Sequence, residues 1–293
     1  MNNRLLLSLL ILFLTSCAAP KVINQSGKVA AKGNVVAGAS YTANVPTKTI
    51  ALMGNIVKQN ITDLANRDSI TLNGNLENVN KAAIAQAIDP LASGYDFYLR
   101  IGVAKRVELG YKLAGKANTF NVQYQFLGPL GNVGAKEKQR LYGSVGLQYS
   151  WQSYRLPSFF GEIQNRLGYK FGRNDILLPI IFSYSFGNEE EYGALAFGLA
   201  ASYSNISYTT QPERIFDTNG KPVFAENHKE SFTSFGGFIN VKAGYRYVYL
   251  VPALSFFYQN YGSYKLLNGS EFMFKGFTFV PSVSLQIQVG KNK

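Results

Sequence analysis

The sequence predicts an all-β protein, an antiparallel up-and-down transmembrane β-barrel of about 10–12 strands with a short, partly helical N-terminal segment. Three observations predict it. From Tyr95 onward apolar residues recur at every second position, which is the period of a strand. The polar side of that alternation is Gly, Ser, Gln, Asn and Ala with scattered charges of both signs, whereas a water-facing sheet surface carries many lysines and glutamates. The chain has 293 residues with 19 tyrosines, 21 phenylalanines and 28 glycines. After residue 16 no apolar stretch in it approaches the roughly 20 residues of a membrane helix, so a membrane-crossing body must be made of strands.

The alternation can be followed strand by strand. Tyr95, Phe97, Leu99, Ile101 and Val103 share a face, as do Val107, Leu109, Tyr111 and Leu113, then Phe120, Val122, Tyr124 and Phe126. Leu141, Val145, Leu147, Tyr149 and Trp151 follow, then Ile163, Leu167, Tyr169 and Phe171, and Ile176, Leu178, Ile180, Phe182 and Tyr184. Leu195, Phe197, Leu199 and Tyr203, Ile239, Val241 and Tyr245, Val248, Leu250, Leu254 and Phe256, and Phe277 to Val289 complete the series. Tight turns are expected at Ala104-Lys105-Arg106, Gly172-Arg173-Asn174-Asp175, Tyr245-Arg246-Tyr247 and Asn268-Gly269. Longer connections are expected from Gly128 to Gln139 and from Thr209 to Lys229. A first strand carries Val29, Ala31, Val35, Ala37, Ala39 and Tyr41 on one face. Residues 49–65 and 78–88 read as helices, the second stopping at Asp89-Pro90. A short strand at 70–76 would raise the strand total from an odd to an even number, as single-chain bacterial barrels normally have.

The first 16 residues read as a signal peptide, with a basic start at 2–4 and a ten-residue apolar run at 5–14. Leu14-Thr15-Ser16-Cys17 resembles the lipobox of bacterial lipoproteins. The resemblance implies cleavage before Cys17 and acylation of that cysteine, palmitate included, and Ala18 after it implies sorting to the outer membrane. Cys17 is the only cysteine, so it can form no intramolecular disulfide. Each buried acyl methylene adds ~0.8 kcal/mol of membrane affinity, enough in several chains to hold the protein firmly. Residues 17–27 are then a lipidated tether and 28–293 the barrel domain, with 46–93 a partly helical insertion that plugs the lumen or caps it in the periplasm. The C-terminal half resembles outer-membrane β-barrels in general.

The net charge of +12 from 29 basic and 17 acidic residues suits nucleic acid, anionic lipid or a charged channel, and export excludes the first. Arg100, Glu108, Lys112, Glu162, Arg166, Lys170 and Lys242 are expected to face the lumen, either lining a narrow pore or pairing to close it. Small barrels are filled by side chains, and open channels begin at about 16 strands. His228, the only histidine, lies in Glu226-Asn227-His228-Lys229-Glu230-Ser231. That cluster has the residue types of the Ser, His and carboxylate sites of lipid-modifying barrels, but a solvated loop histidine is the preferred reading. Glu189-Glu190-Glu191 reads as a charged turn sooner than a calcium site. No phosphate-binding loop or zinc spacing occurs, so no cofactor and no enzyme activity are expected. The expected function is a structural or passive small-solute transport role in the outer membrane, with membrane lipids as partners. The alternative is a lipid-tethered binding barrel, lipocalin-like or presenting the loop from Thr209 to Lys229 to an external partner.

Overall fold

A computed structural model describes residues 21–54, 70–71, 74–129, 140–155, 160, 163–217 and 219–290. The expected signal peptide, Cys17, Glu162 and most of the 128–139 connection lie outside these residues. The elements in chain order are β1 (Val35–Pro46), α1 (Thr47–Gly54), β2 (Ile70–Thr71), α2 (Gly74–Ile88), β3 (Ala92–Ala104), β4 (Val107–Ala114), β5 (Ala117–Leu127) and β6 (Leu141–Arg155). After them come α3 (Ile163–Leu167), β7 (Lys170–Phe186), β8 (Gly193–Thr210), β9 (Ile215–Phe216), β10 (Glu226–Tyr245), β11 (Val248–Lys265) and β12 (Glu271–Val289). All strands except β2 and β9 form one closed antiparallel barrel of ten, each paired with its neighbours. β12 closes on β1 with Val289 opposite Val35, and closure leaves no unpaired edge. β2 and β9 form a separate two-stranded parallel pair.

The barrel has two unlike ends. At the turn end lie the start of β1, the end of β12, the tight connections at Lys105-Arg106 and Arg246-Tyr247, the 187–192 turn and one longer connection, 128–140; Arg106 and Arg246 adopt positive φ of 70° and 55°. At the helix end lie α1, α2 and α3 and the connections 156–169, 211–225 and 266–270. The Asn268-Gly269 turn closes the last of these, with Gly269 at φ 78°.

The outward face of the barrel wall is apolar and bare. Phe97, Leu99, Phe120, Leu147, Leu178, Phe197, Ile239, Leu250 and Leu285 are all exposed, Leu199 to 70%. Such a continuous belt far exceeds the few hundred Å² that a water-soluble surface shows. Aromatic pairs mark its margins: Tyr41 against Tyr95, Phe120 against Trp151 and Tyr258 against Phe277 towards the helix end, and Tyr192 against Tyr245 at the turn end. This is the pattern of a wall bathed in hydrocarbon between aromatic girdles.

Towards the helix end the polarity inverts within single strands. In β8, Leu199 and Tyr203 face out and Ser202 and Ser204 face in; two residues later Asn205 and Ser207 face out and Ile206 and Tyr208 face in. β12 does the same, with Phe277 and Phe279 outward but Phe272 and Phe274 inward between exposed Glu271, Met273 and Lys275. β7, β8, β10, β11 and β12 thus stand beyond the apolar belt as a head with a wet outside and a dry inside. Tyr154, Phe171, Phe232, Tyr261 and Tyr264 join Phe272 and Phe274 there, and α2 fills the space between them with Leu76, Val79, Ile84 and Ile88. The alanine-rich run 82–87 supplies helix propensity, and Pro90 ends the helix.

This inversion explains where the sequence-based strand count departs from ten. Tyr169 and Phe171 lie in one phase and Ile176, Leu178 and Ile180 in the other, so the pattern reads as two strands joined by a turn at 172–175. They are one strand, β7, and Arg173 and Asp175 are inward-facing members of it. Residues 163–167 are helical. Of the expected strand at 70–76, Ile70 and Thr71 are extended, residues 72 and 73 lie outside the described residues, and α2 begins at Gly74. β10 begins at Glu226, inside the expected loop from Thr209 to Lys229; the alternation does not reveal this start, because Phe232 and Phe235 lie on opposite faces. The bulge between Asn260 and Ser263 in β11, where Gly262 takes φ 81°, lets the strand keep pairing with β12 past the inversion.

Candidate functional site

The site is the lumen, and the chain itself occupies it. Residues 21–27, expected to be a tether, are buried inside the barrel together with Val29 and Ala30. No hydrophobic period marks this stretch, so the sequence gives no cue to its burial. The strap is held chiefly through its main chain. Ser183 Oγ accepts from the Gly27 amide at 3.0 Å, Gln125 Oε1 from Val29 at 3.2 Å and Glu108 Oε2 from Ala30 at 2.8 Å. Gln123 donates to the Ser26 carbonyl at 2.7 Å, and Asn240 donates to the carbonyls of Ile23 and Gln25 at 3.3 and 3.0 Å. Buried main-chain groups must find partners, and here the small polar residues of the lumen face supply them. Ile23 adds one apolar contact, packing fully buried against Leu177, Ile181, Phe238 and Phe257.

Gly102 shows why glycine is needed in this wall. A Cβ there would stand 2.2 Å from the Ala31 carbonyl oxygen, while the Gly33 amide donates to the Gly102 carbonyl at 2.7 Å. Gly33, at φ 84°, then reverses the chain from the strap into β1.

Buried charges line what remains of the lumen, a small polar cavity beside the strap. Arg100 Nη1 lies 3.3 Å from Glu108 Oε1 on the neighbouring strand, and Lys242 Nζ lies 3.0 Å from Glu190 Oε2. Glu190 reaches in from the Glu189-Glu190-Glu191 turn, while Glu191 pairs outside with Arg246 at 3.4 Å. Lys112 Nζ donates to the Val22 carbonyl at 3.3 Å. These are Arg100, Glu108, Lys112 and Lys242 of the residues expected in the lumen. Lys170 is not with them: it starts β7 on the exposed side and reaches Gln211 at 3.2 Å. Arg166 lies on α3, where the Glu213 amide donates to its carbonyl at 2.8 Å. The strand pattern fails at Arg166 because that segment is helical, and at Lys170 because the facing pattern inverts in the head.

The strongest polar cluster was not singled out from the sequence. It lies where lumen meets head. Arg173 pairs with Asp175 at 2.8 Å and also donates to the Ile88 carbonyl that ends α2. Asp89, the next residue, accepts from Asn44 at 2.7 Å, Gln259 at 2.9 Å, and the hydroxyls of Tyr261 and Thr278. Lys21 Nζ donates to Gln259 and to Ser234, the latter at 3.3 Å. Arg173 and Asp175 sit in a Gly-Arg-Asn-Asp run that reads as a turn, and Asp89 in a helix stop, so their burial could be known only once the strands were paired. Buried charges of this kind are satisfied as a set, and removing one leaves its partner exposed to the low dielectric. Above them Tyr169 donates to Asn80 of α2. Burial pushes its phenol well above the usual tyrosine range, so it remains a neutral donor.

His228 lies on the inward side of β10 at the helix end, partly exposed, stacked on Tyr208 at 4.9 Å with Nε2 3.0 Å from Glu226. Ser231 faces outward from the same strand, so the histidine, carboxylate and serine do not meet. Glu226 is shared with Lys265, at 2.9 Å.

No protein-family model matches the sequence, and no curated protein matches it. Among solved structures, the barrel is similar to Ail, the attachment invasion locus protein of Yersinia pestis. That alignment covers 88% of this chain and 99% of that one at 6% identity, with a TM-score of 0.35. Neisserial surface protein A aligns over 87% and 95% at 11% identity and a TM-score of 0.32. The translocator domain of the autotransporter NalP from Neisseria meningitidis aligns over 89% and 90% at 8% identity and 0.34. At these scores the fold rests on the strand pairing itself, and nothing of those proteins' roles is carried to this chain.

Proposed function

We propose that this chain is an integral outer-membrane barrel, held additionally by acyl chains on Cys17, whose role is structural or surface-binding and not that of a passive channel. The observation that carries the reading is the filled lumen: the strap of residues 21–31 runs along it and α2 packs into one mouth. The apolar belt between aromatic girdles supports membrane residence, and the lipobox at 14–17 supports the anchor. Ten strands give a lumen narrow enough for side chains and one extended segment to fill. The part offered to the surroundings is then the head. Its 211–225 connection, with Phe224 exposed to 76%, would be the place for an external partner.

The test is conductance in planar bilayers. The purified, heat-modifiable protein should give no discrete current steps. Regular steps from the intact chain would restore passive small-solute transport as the function.

A further inference from the structure

The strap has a direction. On β4, Lys112 holds the Val22 carbonyl near the helix end and Glu108 holds the Ala30 amide near the turn end. On β11 the order is the same: Gln259, further towards the helix end, meets Lys21, and Ser255 meets Ile23. The chain therefore passes through the barrel from the helix end to the turn end before β1 begins, and the Lys21 ammonium meets Gln259, which reaches Thr278 beside the girdle residue Phe277. Four residues span at most about 14 Å, so residue 17 cannot lie beyond the turn end, which the strap reaches only at Ala30 and Ala31. Beside Val22 the rim is low, because the β4–β5 hairpin tip begins two residues after Lys112, at Ala114.

From this geometry we propose that the N-terminal anchor emerges at the helix end, on the opposite side of the membrane from the end of β12. This rests on the acylated membrane barrel proposed above. The helix end carries three long connections, 47–91, 156–169 and 211–225, against one, 128–140, at the turn end, and short turns of bacterial barrels normally face the periplasm and longer loops the outside. The acyl chains on Cys17 therefore insert into the outer leaflet, beside the head, and the protein is a surface lipoprotein whose leader chain threads its own barrel. The partner is the hydrocarbon of that leaflet, reached over the low β4–β5 rim.

Thiol labelling with a membrane-impermeant maleimide tests it, using Ala19→Cys, Asn219→Cys and Asn292→Cys in the full-length protein in cells. Ala19→Cys and Asn219→Cys should label on intact cells, and Asn292→Cys only after permeabilisation. Ala19→Cys labelling together with Asn292→Cys would overturn the threading, and the helix-end pair labelling only after permeabilisation would overturn the leaflet assignment. The unmodified chain, denatured, should show no free thiol. A free thiol there would refute acylation while leaving the threading to be judged from the three variants. An epitope inserted after Pro20, detected by antibody on intact cells, repeats the test should a cysteine variant fail to assemble, and a signal only from permeabilised cells overturns the threading.

Discussion

The membrane belt and the head are made from the same strands, yet they solve opposite problems. In the belt Leu199 and Phe279 face out while Ser204 and Thr278 face in; in the head Asn205 and Lys275 face out while Ile206 and Phe274 face in. Solvent decides the difference. Hydrocarbon outside leaves the inside to polar groups that must satisfy one another, whereas water outside restores the usual burial of apolar side chains. The boundary falls between residues 204 and 205 of β8 and between 275 and 277 of β12. Strand regularity therefore persists through a change of environment, and only the phase of the hydrophobic pattern reports it.

The comparison can be broken most severely at the junction. Arg173→Ala leaves Asp175 buried without its guanidinium and frees the Ile88 carbonyl. A loss of about 3–5 kcal/mol is expected, visible as a lower urea midpoint for the protein refolded in vesicles. Phe274→Ala in the head core should cost about 3–5 kcal/mol as a large-to-small core change. Phe279→Ala, five residues further along β12 on the lipid face, should cost much less by the same assay.

A charge tests the two outer surfaces directly. Leu199→Arg, at the middle of the belt, should destabilise by about 2–4 kcal/mol, while Ser207→Arg on the outside of the head should change stability by less than about 0.5 kcal/mol. The fraction running as the folded form on unboiled gels checks both. A smaller effect is expected at the cap. Tyr169→Phe removes the donor to Asn80 and should cost about 1–3 kcal/mol, read as faster hydrogen exchange in α2 with the belt strands unchanged. Smallest of all, Lys265→Ala on the exposed rim breaks the contact to Glu226 and should cost under about 1 kcal/mol.

The belt was legible in the sequence because lipid contact demands an unbroken run on one side of each strand, as from Tyr95 to Val103 and from Phe277 to Val289. The helix stop at Asp89-Pro90 was legible for a local reason, the geometry of the residue before proline. The head was not, because its inversion makes Phe171 and Ile176, or Phe232 and Phe235, look like parts of different elements. The lumen charges on regular strands, Arg100, Glu108, Lys112 and Lys242, fall on the polar phase and could be placed by it. Arg173, Asp175 and Asp89 lie where that phase inverts or a helix ends. The strap was hidden for another reason: its main chain, which is the same for every residue type, makes most of its contacts.

The central claim is that one set of strands passes from hydrocarbon into water with its facing pattern inverted. Spin labels placed singly at the outward positions 195, 197, 199, 203, 205 and 207 of β8, in vesicles and with Cys17→Ser, test it most directly. Oxygen accessibility should dominate through position 203 and accessibility to a water-soluble nickel complex from 205 onward. A profile with no such crossover, or with nickel accessibility along the whole strand, would contradict it.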